Sequence, residues 1–350
     1  MVKERFYKTE VVPRCLTFKR PAGTSRGVYT TRKLWEVRIR KEDEPSVIGI
    51  GECAPLPDLS CDYGVDYEIT LSKACLDLEQ KGYVDTESLR HYPSILFGLE
   101  MAMRHYEQGG WRHYDTPFSR GQAGIPINGL IWMGDYKYML EQVEEKMKEG
   151  FRCVKLKIGA IDFDRELSLL KHIRAHAKEI ELRVDANGAF TPSEAMDKLK
   201  RLAEMDLHSI EQPIRAGQLE EMAHLAAESP LPIALDEELI GCNAPDEKRR
   251  LLETIHPQYI ILKPSLHGGI AGCTEWVHLA ETILGSTPER PKWWVTSALE
   301  SQIGLNAIAQ WCATLGNPLP QGLGTGEIFK DDKHRLIQRK GDTIWFSNDL

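Results

Sequence analysis

The sequence predicts an α/β protein: a closed (β/α) barrel, a modified TIM barrel, set behind an N-terminal α+β capping domain. Three observations carry this. From about residue 125 short apolar runs alternate with amphipathic segments, each pair taking roughly 25–30 residues, the size of a strand–helix unit. Residues 1–124 lack that rhythm. Finally, acidic and basic residues recur at the ends of the apolar runs, in step with the unit itself.

In the capping domain, residues 1–124, KLWEVRIR (33–40) and SVIGIGECAP (46–55) read as antiparallel strands. DYEITLSKACLDLEQK (66–81) and SILFGLEMAMRHYEQG (94–109) read as helices. Two loops, RPAGTSRG (20–27) and APLPDLSCDYG (54–64), carry the glycine, proline and polar residues of mobile segments and are candidates to cover a site. The barrel spans 125–324. Its strands are IPINGLI (125–131), FRCVKLKI (151–158), ELRVD (181–185), HSIEQP (208–213), LPIALD (231–236), QYIILK (258–263), KWWVTSA (292–298) and PLPQGLG (318–324). Helix-like stretches lie between them, among them 162–177, 191–205 and 297–316. The second opens with Thr191 and Pro192, a cap followed by proline at the first helical position. Parallel strands need covering crossovers and close at eight, which favours the barrel over a doubly wound open sheet. The polar tail, 325–350, is expected to pack back on the cap.

Composition narrows the function classes. The chain has 350 residues, enough for one large or two modest domains. Lys+Arg number 44 and Asp+Glu 52, a net charge of −8 without a basic block, which argues against nucleic acid and anionic membrane as partners. MVKERFYKTE lacks the apolar run of a signal peptide, and no segment has the length of a membrane span. Eight cysteines are scattered without a C-x-x-C pair, so reduced thiols in the cytoplasm are expected rather than a structural zinc site.

Catalytic groups of a β/α barrel sit at the C-terminal ends of its strands. Reading those ends in order yields Lys155 and Lys157, Asp185, Glu211, Asp236 and Lys263. From 185 to 211, 236 and 263 the steps are 26, 25 and 27 residues. Each residue taken singly has a bland explanation as a turn or surface group; all of them in phase on consecutive strands do not. Three carboxylates on adjacent strands repel one another unless a cation sits among them, and an all-oxygen set suits Mg²⁺ or Mn²⁺ rather than zinc. Lys157 and Lys263, on the second and sixth of eight strands, are expected to face each other across the mouth. A lysine acts as a base near neutral pH when a neighbouring cation depresses its pKa. Lys155, on the same face, is such a neighbour, and Arg183, sharing the face of Asp185, is a second candidate. A divalent metal beside two lysines suits proton abstraction α to a small-molecule carboxylate, because the cation holds the enediolate that forms.

With KLK at 155–157, VDANGAF at 184–190, IEQPI at 210–214, LDEEL at 235–239 and LKPS at 262–265, the chain resembles the enolase superfamily, in the branch of muconate lactonizing enzymes. The likeness spans cap, barrel and returning tail. It implies metal ligation by Asp185, Glu211 and Asp236 and acid/base roles for Lys157 and Lys263. GIGECAPLPDLS (49–60), RVDANGAF, TSALESQIGL (296–305) and QGLGTGEIF (321–329) add a likeness to the subgroup that dehydrates a succinyl-hydroxycyclohexadiene carboxylate to an aromatic acid. That implies Lys157 as the base, Lys263 as a cation–π partner of the intermediate, Ser297 as a contact of the succinyl carboxylate, and Asn187 and Glu237 as orienting groups. An epimerase of dipeptides or a racemase of N-acylamino acids uses the same two lysines and remains an alternative. The epimerase resemblance fails at one point, since Gly324-Thr325-Gly326 stands where an Asp-x-Asp pair is expected. A non-catalytic relative is expected to have lost a ligand or a lysine, and none is lost.

Overall fold

The computed structural model describes residues 5–24 and 27–347. The cap is an antiparallel sheet of β1 (Lys8–Thr24), β2 (Gly27–Arg40) and β3 (Gly49–Cys53), in that order, with α1 (Tyr67–Lys81) and α2 (Pro93–Gln108) against it. Alternation along β2 sends Trp35, Val37 and Ile39 into the core made with both helices, and Leu34 into a second cluster shared with the barrel. RPAGTSRG is therefore no free loop but the tip of the β1–β2 hairpin; Ser25 and Arg26 lie outside the described residues. Pro93 opens α2, and the Asp62 carboxylate accepts the Ser94 N–H at 2.8 Å, capping its first turn. Where α2 crosses β3 the backbones touch: a Cβ on Gly51 would stand 1.9 Å from the Gly98 carbonyl oxygen.

The chain then lays down β4 (Ile125–Pro126), β5 (Gly129–Ile131), α3 (Tyr136–Lys148), β6 (Cys153–Lys157), α4 (Phe163–His176), β7 (Glu181–Asp185), α5 (Pro192–Ala203) and β8 (Ser209–Glu211). It continues through α6 (Leu219–Glu228), β9 (Ile233–Leu235), α7 (Pro245–Ile255), β10 (Tyr259–Leu262), α8 (Gly269–Ile283), β11 (Trp293–Val295) and α9 (Gln302–Leu315). Strands β5 to β11 form one parallel sheet in sequence order. Two differences from the sequence expectation stand out. IPINGLI divides, Ile125–Pro126 leaving the barrel to pair with the tail, and only Gly129–Ile131 joining the parallel sheet. PLPQGLG forms no ladder. It closes the ring through a bridge from Gln321 to Ile127 and another from Gly322 to Thr296. Pro318 and Pro320 lack the N–H a strand needs, and Gly322 sits so tightly that a Cβ would stand 2.2 Å from Thr296 Oγ1.

The tail does two things. Residues 328–330 hydrogen-bond to Thr17 and Lys19 of β1, with Phe329 against Phe18. The terminal hairpin of β12 (Ile337–Lys340) and β13 (Thr343–Phe346) instead pairs with β4.

Cap and barrel share polar contacts. Arg90 pairs with Glu275 at 2.8 Å, and fully buried Glu52 of β3 accepts the N–H groups of Ser301 (2.9 Å) and Gly304 (3.1 Å) at the start of α9. Burial pushes the Glu52 carboxyl from its ordinary 4.5 up to about 7, against the pull of its Ser301 contacts. The folded form therefore keeps a proton that the unfolded chain releases, so this contribution to stability is whole below about pH 4.5 and lost as pH rises through 7. Urea unfolding at pH 5 and 7.5 is expected to show that decline in the native chain. Glu52→Gln is expected to flatten it, and an unchanged slope counts against the assignment.

Candidate active site

The six charged residues end up where the barrel gathers them. Lys157, Asp185 and Glu211 terminate β6, β7 and β8 and stand side by side in register, and Asp236 and Lys263 follow immediately after β9 and β10. Lys155 and Lys157 both point inward. Lys155 Nζ lies 3.0 Å from Asp185 Oδ2 and 2.8 Å from Glu211 Oε2, and Lys157 Nζ reaches the same Asp185 oxygen at 3.0 Å. Lys263 pairs with Asp236 of the neighbouring strand end and lies four strands from Lys157 in the sheet order, so the two lysines come from opposite sides of the mouth.

Electrostatics fix the charges. Burial opposes the charged form of Lys155, but Asp185 and Glu211 outweigh it and raise its pKa, holding it a cation. Burial likewise opposes the charge of Lys263, and Asp236 raises it. Asp185 is buried, yet Lys155 and Lys157 hold it well below the usual carboxylate range. Glu211 goes the other way, pushed up by burial and by the charge of Asp185.

The residues fit a hard divalent cation chemically, though the carboxylates as they stand are spaced by the lysines. Among the described residues no three His, Cys, Asp or Glu side chains are grouped closely enough to hold an ion. Lys155 and Lys263 take up part of the carboxylates' charge. Two buried carboxylate oxygens, Glu211 Oε1 and Asp236 Oδ1, have no hydrogen-bond partner, and leaving such atoms bare is costly. Oxygen donors of this kind are what Mg²⁺ takes.

Asn187 and Glu237 form a chain behind Lys157. Lys157 Nζ donates to Asn187 Oδ1 at 2.7 Å, and Asn187 Nδ2 donates to Glu237 Oε1 at 2.9 Å. The left-handed backbone of Asn187, φ 44°, which asparagine tolerates better than most residues, turns its amide back toward the strand end. Arg183 is placed differently from its expected role. It faces inward, one layer deeper, where it pairs with Glu181 at 2.6 Å, donates to the Pro320 carbonyl at 2.8 Å and stacks over the Trp294 ring at 4.3 Å. It plugs the barrel floor and does not line the cavity. Ser297 lines the cavity, but its hydroxyl proton is committed to Glu300 Oε2 at 2.7 Å, and its oxygen accepts from Leu299 N–H and from the Thr325 hydroxyl. As it stands it has no free proton for a substrate carboxylate.

The cavity holds about 230 Å³. Lysines and acids form one side; Tyr29, Leu56, Leu59, Trp132, Leu299 and Ile328 form an apolar side supplied by both cap and barrel. Of these, sequence reading placed only the loop of Leu56 and Leu59 near the site. Trp132 carries no charge and lies in no quoted motif, Leu299 lies within TSALESQIGL but has no polar group to mark a role, and Gln212, whose side-chain oxygen accepts the N–H groups of Asp236 and Glu238 at 3.2 Å each, reads as part of a strand end.

These features describe an acid/base enzyme working on a carboxylate inside a β/α barrel, and comparison with known proteins gives it a family. Residues 138–338 match the family model for enolase C-terminal domain-like proteins. An o-succinylbenzoate synthase from Desulfotalea psychrophila is 44% identical over 352 residues, covering 91% of this chain and 93% of that protein. The crystal structure of MenC from the same organism superimposes with a TM-score of 0.79 at 37% identity, covering 97% of this chain and 99% of the other. An L-Ala-D/L-Glu epimerase from Bacillus subtilis is 26% identical over 315 residues, covering 83% and 80%. The chain belongs to the enolase superfamily and, within it, to the o-succinylbenzoate synthase family.

Proposed function

We infer that the protein is a lyase that dehydrates 2-succinyl-6-hydroxy-2,4-cyclohexadiene-1-carboxylate to 2-succinylbenzoate. The observation that carries this is the near full-length 44% identity to an o-succinylbenzoate synthase, on a chain that keeps both lysines and all three carboxylates at the barrel mouth. Asp185, Glu211 and Asp236 would hold a divalent cation, whose positive charge would make the proton α to a carboxylate more acidic. Mg²⁺ fits the donor set, with Mn²⁺ as a substitute. Lys157 removes that proton, and the C–H pair becomes the new ring double bond as the C–O bond breaks. The same ammonium returns the proton to the departing hydroxide, so water leaves on the face from which the proton was taken. Lys263, held protonated by Asp236, faces the ring from the other side and stabilises the negative charge that builds up there. Asn187 and Glu237 keep Lys157 Nζ aimed.

The place of this reaction is menaquinone biosynthesis, and the eight free thiols support residence in the reducing cytoplasm. No described helix is long and apolar enough to cross a membrane. The substrate is a small carboxylate, with neither nucleic acid nor lipid as partner.

Dehydration is separated from isomerisation by supplying the cyclohexadiene carboxylate and, separately, dipeptides and N-acylamino acids in D₂O. Gly324 and Thr325 line the cavity where an acid would hold a dipeptide's ammonium group. Rapid aromatisation with slow or absent α-deuteration of the amino acid derivatives is expected. Fast dipeptide epimerisation with negligible aromatisation would sink the synthase reading and leave the superfamily standing.

A further inference from the structure

Behind the cavity wall formed by the loop after β11 lies a buried cluster that the proton chemistry does not use. Glu300 is 1% exposed. Its Oε1 accepts the Ser265 hydroxyl, and its Oε2 accepts the Ser297 hydroxyl and the Ala298 N–H, both at 2.7 Å. Ser297 Oγ in turn accepts the Leu299 N–H at 3.0 Å and the Thr325 hydroxyl at 2.9 Å. One carboxylate thus joins the loop after β10, the loop after β11 and the segment that closes the barrel. From the cap, buried Arg32 completes the joint, donating to the carbonyls of Leu299 (3.2 Å), Ala298 (3.4 Å), Ala54 and Pro55. Leu299 stands at φ 64°, a conformation that costs a branched side chain free energy and persists only when its surroundings enforce it. Here its N–H is held by Ser297 and its carbonyl by Arg32. Ser297, Ala298, Leu299 and Thr325 line the cavity, as does Leu56, which directly follows the two cap carbonyls.

We propose that Glu300 is a positioning residue for the part of the substrate remote from the reacting carboxylate: through Ser297, Leu299 and Thr325 it sets the wall against which the succinyl arm lies. The proposal rests on the dehydration reading, which the native enzyme tests alone; Glu300 is tested by comparing variants. Glutamine can keep the geometry, its oxygen accepting from Ser297 and Ala298 and its NH₂ donating to the Ser265 hydroxyl. Alanine leaves those donors without an acceptor.

The experiment measures kcat and KM for the full substrate and for 6-hydroxy-2,4-cyclohexadiene-1-carboxylate, which keeps the reacting atoms and lacks the arm. Glu300→Ala is expected to raise KM for the full substrate about 10-fold or more while kcat changes less than about threefold, the pattern of lost binding shared by ground and transition states. Glu300→Gln is expected to return KM to within about threefold of native, and kcat/KM for the arm-less compound to stay the same in all three proteins. An unchanged KM in Glu300→Ala, or an equal loss on both compounds, overturns the proposal. Should Glu300→Ala fail to fold, Glu300→Asp, which keeps the charge and draws its oxygens back from Ser297 and Ala298, decides. It is expected to raise KM for the full substrate alone, and an unchanged KM there overturns the proposal equally.

Discussion

Lys157→Ala is expected to abolish dehydration, lowering kcat by about 10⁴-fold, the upper end of what a lost acid/base group costs. The size follows from one lysine serving both proton transfers: its amine takes the α-proton, and the ammonium so formed returns it to the departing hydroxide. No other amine takes over. Lys155 is engaged with Asp185 and Glu211, and Lys263 is bound to Asp236 on the far side of the mouth. Lys263→Arg is expected to be severe but incomplete, since it keeps the charge while exchanging a compact ammonium for a wide planar group. Appearance of the aromatic product, followed by ultraviolet absorbance, checks both, with circular dichroism to show that each variant is folded. If folded Lys157→Ala keeps most of its turnover, the assignment of the base is wrong.

Chelation is expected to remove turnover entirely, and added Mg²⁺ or Mn²⁺ to restore it. Asp236→Asn reports on the same site from the protein side. Glu211 Oε1 and Asp236 Oδ1 are buried without partners, so this is where a cation recovers the most. Residues that merely orient a metal ligand cost 10–100-fold in affinity when changed, so removing the charge of a ligand is expected to weaken Mg²⁺ by more than about 100-fold. Calorimetric titration with Mg²⁺, alongside the activity at saturating metal, measures it. Full turnover by thoroughly metal-stripped enzyme would overturn the assignment of the carboxylates.

Much of the site was legible in the chain because charged residues are rare in buried parallel strands. An interval of 25 to 27 residues between Asp185, Glu211, Asp236 and Lys263 has few explanations besides strand ends of one barrel. The same reasoning placed Lys157 opposite Lys263, because sheet order follows chain order in a barrel of strand–helix units. It failed on depth. Arg183 does share the inward face of Asp185, as period-two alternation requires, but two residues lower it meets Trp294 and Glu181 rather than Lys157. It failed too on hydrogen-bond direction. Ser297 sits in the wall as read, yet the destination of its proton depends on Glu300, three residues on.

What the sequence determined by itself was the set of strand–helix units, their order and the chemistry at their ends, since these follow from local periodicity and residue type. What only the tertiary structure decided was everything that depends on two distant segments meeting. The eighth strand is a two-bridge closure because Pro318 and Pro320 cannot donate, and the bridging residues find partners only once Ile127 and Thr296 lie on either side. The apolar half of the cavity joins Leu56 of the cap to Leu299 of the barrel through one buried guanidinium, Arg32, which in the sequence is one more charge in an exposed-looking strand. Burial converts such a residue from a surface cation into a joint, and burial is a property of the assembled fold, set by contacts between segments far apart in the chain.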